Sequence, residues 1–383
     1  MRVGIHAVPL LPYPTGRETY VRSLLEALAA IDAANRYYVL VSPANRHLFE
    51  RPEPNFQVVP VRLPRLPTRR LWEVAYLRLS PLVRGLDIIH LTEGPVPFYQ
   101  PRKAVATIHD ILPVLHPEIF GRKARVYYRH ALSLGTKRLG AVIVASQHTK
   151  GDLVRHLPVD PARVTVIPEG VSPRFRPIRD AGALSAVRQR YALPRHFVLH
   201  IGTIEPRKNL ARLIRACRAL RRRGMPHSLV LAGGKGWLSD DVVEEARRGG
   251  PDDVIFTGFV RHEDIPFLYS AADAFAYPSL YEGFGIPPLE AMAAGIPVVC
   301  SNRSSLPEVV GDAALLVDPE DEQAIAAALE EAIRNEKLRA RMRRAGLERA
   351  ALFSWENAAR RTLSLYESLF RGERSAQEAC DAA

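Results

Sequence analysis

The sequence predicts an α/β fold built from two doubly wound domains, each a parallel sheet with helices on both faces. Three observations carry this. Short apolar runs alternate with helical patterns from end to end, which implies parallel sheets covered on both sides. The chain has 383 residues, and single cores stop growing at roughly 250–300 residues. A stretch rich in proline and charge, from Pro168 to Pro177, interrupts the alternation near the middle.

The elements follow in order. In the first half the strand-like runs lie at 3–8, 37–41, 87–91, 104–108, 141–145 and 164–167. In the second half they lie at 197–201, 228–232, 254–257, 274–277, 298–300 and 314–317. Helical patterns fall between many of them, for example at 19–30, 209–223 and 322–334, and a last helix is expected at 355–370. The expected organisation is an N-terminal domain over 1–172, a linker over 173–195, a C-terminal domain over 196–354, a terminal helix over 355–371 and a frayed tail over 372–383.

Bulk properties exclude several classes. No apolar run reaches the roughly 20 residues that span a membrane. The opening Met1-Arg-Val-Gly-Ile reads as a strand, not as a leader. Cys217, Cys300 and Cys380 are odd in number and far apart, which argues against a disulfide framework and fits a reducing cytoplasm. The net charge of +12 is uneven: residues 1–170 carry 23 Lys and Arg against 13 Asp and Glu. Such a surface attracts phosphorylated substrates, anionic lipid or nucleic acid. No nucleic-acid-binding signature accompanies it, so nucleic acid is not expected as a partner.

The most informative stretch is 279–290, Ser-Leu-Tyr-Glu-Gly-Phe-Gly-Ile-Pro-Pro-Leu-Glu. It sets Glu282 and Glu290 on either side of a glycine turn, and Pro287 and Pro288 open a helix, where proline is tolerated. The amides of Gly283, Phe284 and Gly285, with a helix N-terminus behind them, favour an anion. Sugar hydroxyls beside a diphosphate would suit the two carboxylates. Upstream, Gly202-Thr203-Ile-Glu-Pro-Arg207-Lys208-Asn209 follows an apolar strand. Arg207 offers a planar fork of donors and Lys208 a compact ammonium, together able to clamp a diphosphate. Asn209 reads as the cap of the next helix. In open parallel sheets ligands bind beyond the carboxyl ends of strands. All four charged groups lie there, as do Pro14-Thr-Gly16 and His109-Asp110 in the first half.

These motifs resemble the family 4 retaining glycosyltransferases, in particular a bacterial mannosyltransferase-like subgroup, and the resemblance covers nearly the whole chain. It implies the GT-B architecture, two Rossmann-like domains facing a central cleft. It implies a nucleotide-sugar donor and a glycan or lipid-linked glycan acceptor in cell-surface polysaccharide synthesis. By position, Arg207 and Lys208 would hold the donor diphosphate, and Glu290 the ribose hydroxyls. Glu282 would contact the donor sugar, beside the amides of Gly283, Phe284 and Gly285. Phe259 and Val260 would line the base pocket, with Gly202 and Thr203 also on the donor side. Gly16 would let the first-domain loop approach the phosphates, His109 would reach the sugar ring, and Asp110 would lie on the acceptor side as orienter of His109 or of its loop. Arg17 and Glu18 after Gly16 depart from the family pattern. The segment at 304–314, Ser-Ser-Leu-Pro-Glu-Val-Val-Gly-Asp-Ala-Ala, matches the same subgroup.

No Asp-x-Asp motif occurs, so neither a metal nor another cofactor is expected, and the clamp would carry the leaving-group charge. The subgroup points to GDP-mannose, with UDP- or dTDP-hexose as the alternative donor. A glycosidase, a sugar-nucleotide epimerase and a non-catalytic binder are the readings from other classes. The segment at 62–79 sets Arg62, Arg65, Arg69, Arg70 and Arg78 among leucines, Trp72 and Tyr76. It is either a solvated helix or a peripheral contact with anionic lipid at the inner face of the membrane.

Overall fold

The computed structural model describes residues 1–10, 16–64, 69–94, 103–137, 139–234, 236 and 240–373, leaving aside the side chains at 69–70, 117–118 and 120–124. Pro14, Arg65 and the tail beyond 373 therefore lie outside the described residues, as do the side chains of Arg69 and Arg70. The chain divides into two compact units. The first comprises Met1–Gly170 and Ser354–Ala383, the second Val171–Phe353.

The first unit holds strands β1 (Arg2–Ala7), β2 (Arg36–Val41), β3 (Phe56–Pro60), β4 (Ile88–Leu91), β5 (Ala104–Thr107), β6 (Ala141–Val144) and β7 (Val164–Val166). They pair in the order β3-β2-β1-β4-β5-β6-β7, all parallel. Successive side chains along a strand point to opposite faces. Val3 and Ile5 of β1 pack in one core with Leu24 and Leu28 of the helix Gly16–Ile31. On the opposite face Ile89, Ala106 and Val142 pack with Leu77 and Leu153. Strand β3 escapes the sequence reading: it is a five-residue edge strand ending in proline and only partly buried.

The terminal helix Trp355–Arg371 belongs to this first unit and contributes Trp355, Leu365 and Tyr366 to its core. Ser354 caps it by accepting from the Asn357 amide. Gly170 lies under its first turn, where an added Cβ would stand 2.2 Å from the Trp355 nitrogen.

The second unit holds β8 (Phe197–Ile201), β9 (Ser228–Ala232), β10 (Val254–Gly258), β11 (Ala274–Tyr277), β12 (Val298–Ser301) and β13 (Leu315–Val317). Their order is β10-β9-β8-β11-β12-β13, again parallel throughout. Both sheets thus reverse strand order once, between β1 and β4 and between β8 and β11. In such sheets the reversal opens a crevice at the strand carboxyl ends.

The stretch 173–195, expected as a linker, is part of this second unit. It carries the helix Ala181–Arg190, capped by Asp180. Arg190 grips Asp264 with two bonds of 2.8 Å, and Tyr191 donates to the same carboxylate at 2.7 Å. Phe175 packs edge-on to Tyr269. Arg190, Tyr191 and Phe175 fasten to the second unit the stretch that looks like a linker in sequence. Among the described residues no helix is long and apolar enough to cross a membrane.

Candidate functional site

The switch point of the second sheet gathers the charged residues singled out from sequence. Strand β8 runs into Gly202 and Thr203, then the short turn Pro206–Lys208, then the helix Leu210–Arg222. Strand β11 runs into the glycine loop and the helix Ile286–Ala293, with Pro287 and Pro288 in its first turn. The two loops are stitched together: the Leu280 amide donates to the Arg207 carbonyl at 2.8 Å. Asn209 stands at the cap position of its helix but makes no side-chain cap bond. It adopts a left-handed conformation, φ 59°, and its amide nitrogen instead donates to the carbonyls of Pro278 and Pro319. It fastens loops rather than capping a helix.

Two of the expected residues bond directly to a third, Glu282. Arg207 Nη1 donates to Glu282 Oε2 at 2.5 Å, and Lys208 Nζ to Glu282 Oε1 at 2.7 Å. Glu205 pairs with Arg207, and the Tyr277 hydroxyl accepts from Lys208. Burial pushes the Glu282 carboxyl up, but Arg207 and then Lys208 outweigh it and hold it at about 2. Burial, reinforced by Arg207, holds the Lys208 ammonium below its usual range against the pull of Glu282. Ser304 accepts from the Glu282 amide, and Ser305 donates to the carbonyls of Glu282 and Phe284. This is the structural work of the 304–314 motif.

Glu290 sits in a different environment. It is buried, accepts from Tyr269 Oη at 2.9 Å, and burial raises it to about 7 against the opposing pull of Tyr269 and Arg174. Glu282 and Glu290, on either side of the helix start at Ile286, thus differ widely in proton affinity. Such divergence marks groups with separate tasks.

The glycines shape the rim. Gly202 and Gly233 both have φ of +151°, and a Cβ on Gly233 would stand 2.1 Å from the Gly202 carbonyl oxygen. The Gly233 amide in turn donates to the Gly258 carbonyl. After β10, Phe259 is exposed (59%) while Val260 is buried, so only the Phe259 ring is presented to solvent. Phe284 is buried edge-on to Phe353, which makes its side chain a packing group. Gly285 has φ +133° and faces Leu306.

In the first unit, His109 follows β5. Its Nε2 lies 3.1 Å from the Thr92 carbonyl and its Nδ1 3.3 Å from Glu169. Tyr20 packs edge-on against the ring at 4.9 Å. Burial disfavours the imidazolium, yet Glu169 more than compensates and raises the His109 pKa. Asp110, expected as orienter of His109 or of its loop, does the second of these: it accepts from the Leu112 amide at 3.0 Å. The orienter of the imidazole is Glu169, which sequence reasoning missed because it stands inside the proline-rich boundary stretch. Glu205, inside the quoted Gly202–Asn209 motif, and Tyr277, just before the 279–290 stretch, were missed too, and no quoted motif adjoins Tyr269. Gly16 is exposed at the first position of its helix, and nothing lies within 4 Å of where a Cβ would stand, so no steric demand for glycine is visible there.

Two Rossmann-like units with a cation–carboxylate cluster at a switch point fit the GT-B class of glycosyltransferases. Known proteins agree. The family described as Glycosyltransferase Family 4 matches residues 14–175, and that described as Glycosyl transferases group 1 matches residues 187–349. The chain is 37% identical over 317 residues to O-antigen chain mannosyltransferase B of Escherichia coli, covering 77% of this chain and 83% of that protein. It is 32% identical over 268 residues to the serotype-specific mannosyltransferase WbdA of Escherichia coli, 68% of this chain, but spans only 32% of that longer protein. Among solved structures, sucrose-phosphate synthase from Thermosynechococcus elongatus superposes with a TM-score of 0.76 at 25% identity, over 97% of this chain and all of that one. HepE of Anabaena in complex with UDP-glucose gives 0.75 at 21% identity, over 96% of this chain and all of that one. The chain belongs to the family 4 glycosyltransferases.

Proposed function

We propose that this glycosyltransferase moves mannose from GDP-mannose, with retention and without a metal, onto a glycan or lipid-linked glycan of the cell surface. The observation that carries the donor assignment is the sharing of Glu282 between Arg207 and Lys208 at the β8–β11 switch point. The sugar and the acceptor class rest on the relatives' names.

The donor diphosphate competes with Glu282 for the two cations. As it takes them, the Glu282 carboxylate is released towards the sugar hydroxyls. When the bond from the anomeric carbon to the phosphate oxygen breaks, its electron pair moves onto the phosphate. Arg207 and Lys208 meet that growing charge, and removing one such donor typically costs about 2.7–4 kcal/mol of barrier stabilisation. The acceptor oxygen then bonds to the anomeric carbon on the face the phosphate leaves, and its proton passes to the departing phosphate oxygen. Glu290 holds the ribose, Phe259 stacks on the base, and His109 serves the sugar or acceptor.

The test is a panel of GDP-mannose, UDP-glucose and dTDP-hexoses with lipid-linked acceptor, assayed in EDTA, with the product anomer read by NMR. Transfer from GDP-mannose with the α configuration kept is expected. Transfer only from a UDP-hexose would reassign the donor, and loss in EDTA restored by magnesium would reject the metal-free step.

We further infer a peripheral contact with anionic membrane through the first unit. Leu71, Trp72 and Leu79 on the helix Arg69–Leu79 are exposed, as are Val126, Tyr127 and Tyr128 on the helix Pro117–Thr136. Each neighbouring basic residue is worth about 1 kcal/mol at an anionic surface. Co-sedimentation with anionic liposomes should fall with salt and with Trp72→Glu; a wild type that stays in the supernatant at low salt removes this contact.

A further inference from the structure

The amino-terminal edge of the second sheet carries a second constellation. His196, His227 and Asp273 each immediately precede a strand, β8, β9 and β11 respectively. Those three strands are consecutive neighbours in the sheet, so the backbone ladder sets the three side chains side by side. The Ser228 amide bonds the His196 carbonyl and the Asp273 amide the Phe197 carbonyl, each at 3.1 Å. One potential ligand atom from each side chain lies within 4.8 Å of the others.

The spacing matches that of a metal site. His196 Nδ1 and His227 Nε2 both stand 3.4 Å from Asp273 Oδ2. Charge-assisted hydrogen bonds are shorter, about 2.7–2.9 Å. Zinc binds imidazole nitrogen and carboxylate oxygen at about 2.0–2.2 Å. In a tetrahedron of such bonds the ligand atoms stand roughly 3.3–3.6 Å apart. Two of the three edges already have that length. The Phe197 amide donates to Asp273 Oδ2 at 3.0 Å and fixes its direction, as outer partners of metal ligands do. His227 is buried, while His196 and Asp273 are partly open, at 42% and 34% side-chain exposure, so an ion can enter and keep a solvent ligand. Arg343 interacts electrostatically with the same carboxylate and opposes a cation there.

We propose that His196, His227 and Asp273 bind one zinc-class divalent ion that staples the amino ends of β8, β9 and β11. The ion sits at the opposite end of these strands from Lys208 and Glu282, roughly 16 Å away for a five-residue strand, and takes no part in transfer.

The test uses tag-free full-length chain, stripped with chelator and titrated with Zn²⁺ by calorimetry and with Co²⁺ by visible absorption, with GDP binding measured in parallel. Expected are one ion per chain, a rise in Tm with Zn²⁺, and unchanged GDP affinity. His196→Ala, at a partly open position, should weaken Zn²⁺ by about tenfold or more, the scale seen even for outer partners of metal sites. Arg343→Gln should tighten it, a response that a metal-free ion-pair network would not give. Absence of stoichiometric uptake by the wild type, or wild-type Zn²⁺ affinity retained in His196→Ala and in Asp273→Asn, overturns the proposal. So does displacement of GDP by Zn²⁺, which would place the ion in the donor site.

Discussion

Lys208 donates to Glu282 at 2.7 Å from a position only 4% exposed. The ammonium proposed to grip the diphosphate and the carboxylate proposed to meet the sugar are therefore partners of each other. On the proposed reading, donor binding is an exchange in which the cations trade a carboxylate for a phosphate.

Glu282→Gln should consequently bind bare nucleoside diphosphate more tightly than wild type, because the competing carboxylate is gone, while turnover falls. Weaker nucleotide binding in this variant would refute the exchange. Its stability has a pH signature. The folded-state pKa of about 2 lies below the ordinary 4.5, so the carboxylate stabilises the fold above pH 4.5 and ceases to as pH falls through 2. The stability deficit of Glu282→Gln should shrink over that window in denaturant titrations.

Lys208→Ala should lower turnover by about a hundredfold or more, as for a lost charge-stabilising donor. It should also lower Tm, because the ammonium is buried and its loss leaves Glu282 with Arg207 alone; breaking a buried pair typically costs about 3–5 kcal/mol. Activity assayed well below Tm and within threefold of wild type would remove Lys208 from the clamp.

Glu290 runs the other way. Its folded pKa of about 7 lies above 4.5, so the folded chain holds a proton that the unfolded chain releases. Stability therefore declines as pH rises from 4.5 through 7, and Glu290→Gln should abolish that decline. Nucleotide affinity should rise between pH 6 and 8 in wild type as the carboxylate becomes free to accept ribose hydroxyls. In Glu290→Gln affinity should be weaker and lack this component. Parallel pH profiles in the two proteins would disprove the ribose role.

Glu169→Gln should shift His109 back towards an ordinary imidazole, since Glu169 outweighs burial to raise it. The raised pKa stabilises the fold below pH 6.5 and the gain is lost as pH rises through the folded value; the variant should lack this gain. Turnover should fall and its pH profile move to lower pH, with GDP affinity unchanged because Arg207, Lys208 and Glu290, proposed to hold the nucleotide, lie in the other unit. An unmoved His109 resonance in an NMR titration would exclude the pairing.

Gly233→Ala tests the rim. With φ at +151° and 2.1 Å between the new Cβ and the Gly202 oxygen, strain of roughly 1–3 kcal/mol is expected before any clash is counted. Wild-type stability in urea would show that the rim yields freely.

Both sheets were legible in the sequence because buried parallel strands read as apolar runs whatever their order. Runs such as 197–201 and 274–277 announced β8 and β11, and the family motifs singled out Arg207, Lys208, Glu282 and Glu290 by residue type and position after a strand. Edge strand β3 was not legible, since a partly buried strand ending in Pro60 has no such run. Nor was the fate of 173–195, because a proline-rich stretch looks the same whether it crosses solvent or packs against Tyr269 and Asp264. The partners of each charge belonged wholly to tertiary structure. Nothing local to Glu282 and Glu290 says that one will be held at about 2 by cations 74 and 75 residues upstream and the other raised to about 7 by burial against Tyr269. Glu169, Tyr277 and the His196–His227–Asp273 group likewise acquire their neighbours only when parallel strands bring distant loop ends to one edge. Residue type and local periodicity are written along the chain, whereas proton affinity is set by solvent exclusion and by charges a few ångströms away in space.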